Sequence, residues 1–184
     1  MIKEKNMEVN PKDYISIIAP PPVVLVSTLF GKVKNVAPYG MVMPVSNDPP
    51  LLALGIRKTR DTFKNIMDSK EFVVAYPSPE LVEQIDQSAQ NFPRNISEFE
   101  KTGLTPIQST QVKPFRIKEC QVNLECQLEW HKPAGDHHVV VGQVKAADIE
   151  GALYRKELRR AMIHPVYDAG HHQFRYAQKG PLIK

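Results

Sequence analysis

The chain has 184 residues with a net charge of +4 and a mean hydropathy of -0.34, values that suit one domain with a real core. No stretch approaches the ~18 consecutive apolar residues of a membrane helix. The scattered positive charge also lacks the continuous, aromatic-interleaved basic stripe that nucleic-acid binding favours.

The start, MIKEKNMEVNPKDY, is polar and carries acidic residues, so it does not read as a secretory signal. The expectation is a single cytoplasmic domain over 1-184, with 1-12 as an N-terminal tail and neither membrane nor nucleic acid as a partner.

In chain order, the first strand signal is the apolar run Val23–Leu29, followed by a Gly turn and a second run, Val33–Val36. The segment Asn35–Val36–Ala37–Pro38–Tyr39–Gly40 comes next. Pro38 is expected to interrupt strand pairing and Gly40 to allow unusual backbone angles. Such a break leaves N–H and C=O groups free to meet a planar ligand, for which an isoalloxazine edge is a fitting shape. Tyr39 would border the ring or anchor the core, and a plain bulge and turn is the alternative reading.

Ser46–Asn47–Asp48–Pro49–Pro50 reads as a tight loop in which Asp48 can accept backbone donors. The strand Leu51–Ile56 then runs into Arg57–Lys58–Thr59–Arg60–Asp61–Thr62 and a predicted helix over Arg60–Ser69, with Phe63, Ile66 and Met67 on one face. The first amides of a helix have no internal partners and its N-terminus is positive. With the Thr hydroxyls and the cations, this makes an anion site of the type phosphate accepts. The bland alternative is Thr59 as a simple N-cap among solvated charges.

A strand at Phe72–Ala75 precedes short helices at Pro79–Ala89 and Ser97–Lys101. From Glu119 to Trp130 the chain alternates: Cys120, Val122, Leu124, Cys126, Leu128 and Trp130 take one face and polar residues the other, which predicts a half-buried strand. Six residues at ~3.3 Å separate the cysteines by roughly 20 Å, beyond the ~7 Å a disulfide spans. Lys132–Pro133–Ala134–Gly135–Asp136 closes a hairpin onto a strand at Val139–Val144. Numerous strands, few helices, sixteen prolines and no βαβ alternation indicate an antiparallel barrel. The six histidines form no metal-ligand spacing.

Taken together, these pieces resemble the flavin reductase-like family, and its flavoredoxin-like branch in particular, from about Tyr14 to Ile149. The landmarks are Val26–Ser27–Thr28, Asn35-x-Ala37–Pro38–Tyr39, Ser46–Asn47–Asp48–Pro49–Pro50, Arg60–Asp61–Thr62 with Asn65–Ile66, Glu71–Phe72–Val73–Val74, Ser97–Glu98–Phe99, Gly103–Leu104–Thr105 and Gly135–Asp136–His137.

The resemblance implies a mainly β, Greek-key antiparallel, FMN-binding split barrel with a few helices. It implies non-covalent FMN, with the phosphate at Arg57, Thr59, Arg60, Asp61 and Thr62. The ring would lie along Asn35, Val36, Ala37, Pro38 and Tyr39 and against the loop Ser46, Asn47 and Asp48. His137 would lie on the nicotinamide side, and the protein would be a homodimer with the flavin near the interface.

The implied activity is electron transfer from NADH or NADPH through FMN to a flavin or other acceptor. The alternative is a flavoredoxin-like carrier that serves a redox protein partner without using a nicotinamide. Either needs no catalytic triad, because the cofactor carries the chemistry. The segment His164–Pro165–Val166–Tyr167–Asp168–Ala169–Gly170–His171 departs from the small, Gly-rich tail the family pattern suggests.

Overall fold

The first apolar run forms strand β1 (Val24–Phe30), and its unbroken hydrophobicity has a structural reason. Val24 and Val26 enter one buried cluster with Leu52, Leu54, Ile56, Ile66, Phe72 and Val140, while Val23 and Leu25 enter a second with Val36, Ile85, Phe99 and Ile117. A strand covered on both faces has no solvated side to carry polar residues. These features come from a computed structural model, which describes residues 8–14, 18, 21–153, 165–168 and 174–176.

Strand β1 is followed by β2 (Val33–Tyr39), β3 (Val42–Asn47), β4 (Pro50–Ile56), helix α1 (Asp61–Ser69) and β5 (Glu71–Tyr76). A 3-10 turn at Pro79–Leu81 leads into α2 (Val82–Ser88), and then come α3 (Glu98–Thr102) and the two-residue strands β6 (Pro106–Ile107) and β7 (Arg116–Ile117). The long strands β8 (Val122–Ala134) and β9 (His137–Ile149) form the predicted hairpin on a turn at Gly135, whose φ is +64°. β10 (Val166–Asp168) pairs with β11 (Phe174–Tyr176) and meets the start of the barrel through Val23 N–H to Val166 C=O at 2.7 Å. Of the C-terminal segment singled out in the sequence, His164 and residues 169–171 lie outside the described residues. No helix among the described residues is long and apolar enough to cross a membrane.

The main sheet has the order β2-β1-β5-β8-β9-β4-β3, with every pairing antiparallel. Its two edges, β2 and β3, are consecutive in the chain and joined only by Gly40 and Met41. Seven strands laid flat would put those edges nearly 29 Å apart at ~4.8 Å per step, whereas the three Cα steps from Tyr39 to Val42 reach ~11 Å at most. The sheet must therefore curl until its edges approach, which makes a barrel split along the β2–β3 seam. The step from β4 to β5, which are not neighbours, runs through α1 and gives the Greek-key character.

Two expectations change. Pro38 does not interrupt pairing: β2 stays in register with β1 through Val24↔Tyr39, with Pro38 opposite Leu25. The proline is tolerated because β2 is an edge strand. Free backbone groups are available there for the same reason, not because the strand breaks.

The second change concerns β8. Asn123 and Glu125, expected on a solvated face, are buried. The segment carrying β6 and β7 covers them: Asn123 bonds both the N–H and the C=O of Ile117 at 2.8 and 3.1 Å, and Glu125 accepts the N–H of Gln111 at 2.6 Å. Trp130 is exposed instead, past bulges at Glu125/Cys126 and Leu128/Trp130. Both cysteines are free and buried, and burial pushes the Cys126 thiol up to about 12.

Candidate functional site

Where the barrel edges meet, a cavity of about 760 Å³ opens beside the start of α1. Asn35, Ala37, Pro38 and Tyr39 line it from β2, Arg57, Thr59, Arg60, Asp61 and Thr62 from the helix start, and His137 from β9. Val36 does not line it; its side chain is fully buried in the second core cluster. Ser46, Asn47 and Asp48 are also absent from its walls. They sit at the far end of the β3–β4 hairpin, where Asn47 pairs with Pro50, while Val42 pairs with Leu54 at the cavity end. Five strand residues at ~3.3 Å separate these ends by roughly 16 Å, so within one chain the loop and the cavity are apart.

The helix start presents backbone donors to the cavity. Arg60 is the N-cap residue, and no side chain bonds back to the first amides, so the N–H groups of Asp61, Thr62 and Phe63 have no intrahelical partner. Asp61 Oδ1 takes Lys64 Nζ at 2.8 Å, and Arg60 Nη1 donates to Asn91 Oδ1 at 2.8 Å. Arg57 Nη2 reaches Asp136 Oδ2 at 3.2 Å from the opposite wall. Asp136 also accepts from His137 Nδ1 at 2.7 Å, and these two neighbours hold its carboxyl below the usual range, the histidine first.

Thr62 does not do what the sequence suggested. Its side chain is buried, and Oγ1 donates to Asn35 Oδ1 at 3.3 Å and lies within hydrogen-bonding reach of the Tyr39 phenol oxygen. Its hydroxyl hydrogen is therefore committed to the protein, and what it offers an anion is the backbone N–H.

Thr62 belongs to a buried polar network with one direction. Arg94 donates to Asn65 Oδ1 at 2.7 Å, Asn65 Nδ2 to Thr28 Oγ1 at 3.0 Å, Thr28 to Asn35 Oδ1 at 2.9 Å, and Asn35 Nδ2 to Glu98 Oε1 at 2.9 Å. Every donor points from the guanidinium towards the carboxylate, an arrangement in which successive bonds polarise one another. Burial pushes the Tyr39 phenol up to about 12 against the opposing Thr62 bond and Arg60 charge. Burial likewise raises Glu98, with Asp61 adding to it.

Sequence reasoning missed Glu98, Asn91 and Asp136 as parts of this cavity. The available signal was polarity out of place: Thr28 in an apolar run, Asn65 on the apolar face of a helix, and Glu98 beside Phe99.

Fold and cavity define a split-barrel protein with a basic, uncapped helix start lining the cavity at its seam. The sequence matches the family described as "Flavin reductase like domain" over residues 18–173. The chain belongs to the flavin reductase-like family. It is 34% identical over 164 residues to a protein of Aquifex aeolicus (strain VF5) whose function is uncharacterised, a match covering 86% of this chain and 84% of that one. Nitrilotriacetate monooxygenase component B from Bacillus cereus superposes with a TM-score of 0.88 at 26% identity, covering 98% of this chain and 100% of that one. The flavoredoxin of Desulfovibrio vulgaris (Miyazaki F) has the same fold, with a TM-score of 0.84 at 20% identity over 98% of this chain and 96% of that one.

Proposed function

We propose that the protein is an FMN-dependent oxidoreductase that passes electrons from NADH or NADPH to a flavin or another acceptor. The observation that carries this reading is the meeting, in one cavity, of the unpaired amides at the start of α1 with two arginines and the free edge of β2. A phosphate suits the first group, through the Asp61 and Thr62 N–H groups with Arg57, Thr59 and Arg60 around them. A planar ring with alternating donors and acceptors suits the second, along Ala37–Tyr39.

Bound FMN would supply the electron-transfer chemistry. The chain's own residues would bind the phosphate and hold the ring against β2, beside the cavity mouth. His137 stands at that mouth with Nδ1 held by Asp136, on the side from which we propose a nicotinamide approaches. Met41, Met43 and Val45 are exposed along the edge strand β3 and its approach. An uncovered apolar edge of this kind supports a homodimer. Cytoplasmic location completes the reading.

The test of the cofactor is titration of flavin-free protein with FMN and riboflavin. Arg57→Ala with Arg60→Ala should weaken FMN by tenfold or more and riboflavin little, because only FMN carries the phosphate; equal losses would refute the phosphate assignment. Anaerobic mixing of the FMN-loaded protein with NADH and with NADPH tests the donor. Bleaching of the flavin supports the reductase. Negligible reduction by both, with rapid reduction by a protein donor, would replace it with the electron carrier.

A further inference from the structure

Glu98 is a buried carboxyl, 7% exposed, with no ion pair to it among the described residues. It opens α3 and lines the cavity. Oε1 accepts from Asn35 Nδ2 at 2.9 Å, whereas Oε2 is buried without a hydrogen-bond partner. Asn35 also accepts from Thr62 at 3.3 Å. Only two hydrogen bonds thus separate this carboxyl from the first turn of α1, the position given above to the flavin phosphate.

We infer that Glu98 is the proton acceptor coupled to anion binding at this site: seating a phosphate at the start of α1 drives Glu98 into its neutral form, so the protein takes up a proton with FMN and none with riboflavin. The inference rests on the phosphate assignment proposed above. A second negative charge brought close through a poorly solvated interior disfavours the first.

The groups around Glu98 support this role. Burial raises its carboxyl most, and from α1 Asp61 acts in the same direction; the N–H groups of Glu98 and Val36, and then the Asn35 amide, oppose both. From β2, the Tyr39 phenol is held up at about 12, so it does not titrate near neutrality, and Arg60 faces it. The neighbouring α2 carries Glu83 and Asp86, and α3 itself Glu100 and Lys101.

The sign follows from linkage. If binding raises the affinity of Glu98 for its proton, FMN affinity falls as pH rises through the window between the free and bound ionisations, by about tenfold per pH unit at most for one proton. The phosphate's own second ionisation, near pH 6, acts in the opposite sense, because the dianion suits the cationic site better. Riboflavin has neither effect.

The experiment is calorimetric titration of the flavin-free full chain with FMN and with riboflavin, near neutral pH, in two buffers of different protonation heat. Wild type should take up as much as one proton more per FMN than Glu98→Gln, with no difference between the two for riboflavin. Infrared difference spectra on FMN addition should show a protonated-carboxyl C=O band in wild type that the variant lacks. Equal proton counts, with FMN bound by both proteins, would overturn the inference while leaving the flavin reading intact. Should Glu98→Gln not fold, the wild-type spectrum decides, and absence of the band overturns the coupling. Failure of wild type to bind FMN would refute the phosphate assignment and this inference with it.

Discussion

Arg57 and Asp136 face one another across the mouth of the cavity, Nη2 to Oδ2 at 3.2 Å, and tie the end of β4 to the turn of the β8–β9 hairpin. Both side chains are largely exposed, so the pair contributes little to folding. Its consequence lies in the charge it withholds from a ligand. Asp136→Asn should release Arg57 towards a bound phosphate and tighten FMN several-fold, leaving riboflavin affinity and the thermal midpoint unchanged. Fluorescence titration at low and high salt checks this, since the gain should shrink as salt screens it; weaker FMN binding would show that Asp136 instead holds Arg57 in its useful position.

Tyr39 gives a pH dependence with a definite sign. The folded state holds its phenol up at about 12, against 10.0 for an unperturbed tyrosine. A group raised on folding stabilises the fold below its unfolded value and loses that contribution as pH climbs towards its folded one. Stability should therefore decline between pH ~10 and ~12. Tyr39→Phe should lower neutral-pH stability by ~1 kcal/mol through the lost bond to Thr62 and make the alkaline decline shallower. Urea unfolding across that range, for both proteins, is the measurement.

Glu125 pins the covering segment to β8. Its carboxylate takes the N–H groups of Thr110 at 3.0 Å and Gln111 at 2.6 Å, and Arg116 Nε lies 3.6 Å away. Glu125→Ala would leave two backbone donors and a largely buried guanidinium without this partner. We expect a loss of about 3–5 kcal/mol, with Glu125→Gln costing less because it keeps an acceptor. Chemical denaturation midpoints test the order; equal losses would mean that the charge, not the acceptor, is what matters.

Gly142 lies on β9 between Leu128 of β8 and Leu52 of β4, where a Cβ would overlap the ring of Phe72 and come within 3.2 Å of Cys126 Cβ. Both edges of β9 are paired, so its backbone cannot retreat. Gly142→Ala should cost about 1–3 kcal/mol. Adding Phe72→Leu should recover part of that loss, which a double-mutant cycle in urea would detect.

The helix start was legible because its signals are local: the end of an apolar strand, a basic Thr-containing stretch and then a helical period all fall within a dozen residues. The barrel class was legible for a similar reason, from repeated short strands without βαβ spacing. Glu98 was visible only as a family landmark with no role, since nothing adjacent to it in the chain announces Asn35 as its partner. The burial of Asn123 and Glu125 was illegible because alternation reports the period of a strand, not what covers each face.

By itself the sequence determined a β-rich domain with a basic, Thr-containing helix start at Arg57–Thr62 and an edge-like segment at Asn35–Tyr39. The tertiary structure decided that these two meet in one cavity, that Thr62 turns its hydroxyl inward, and that Ser46–Asp48 stands at the opposite end of its hairpin. The physical reason is the closure of the sheet. Which residues face one another across the β2–β3 seam depends on strand order and register over the whole barrel, and no local period encodes that.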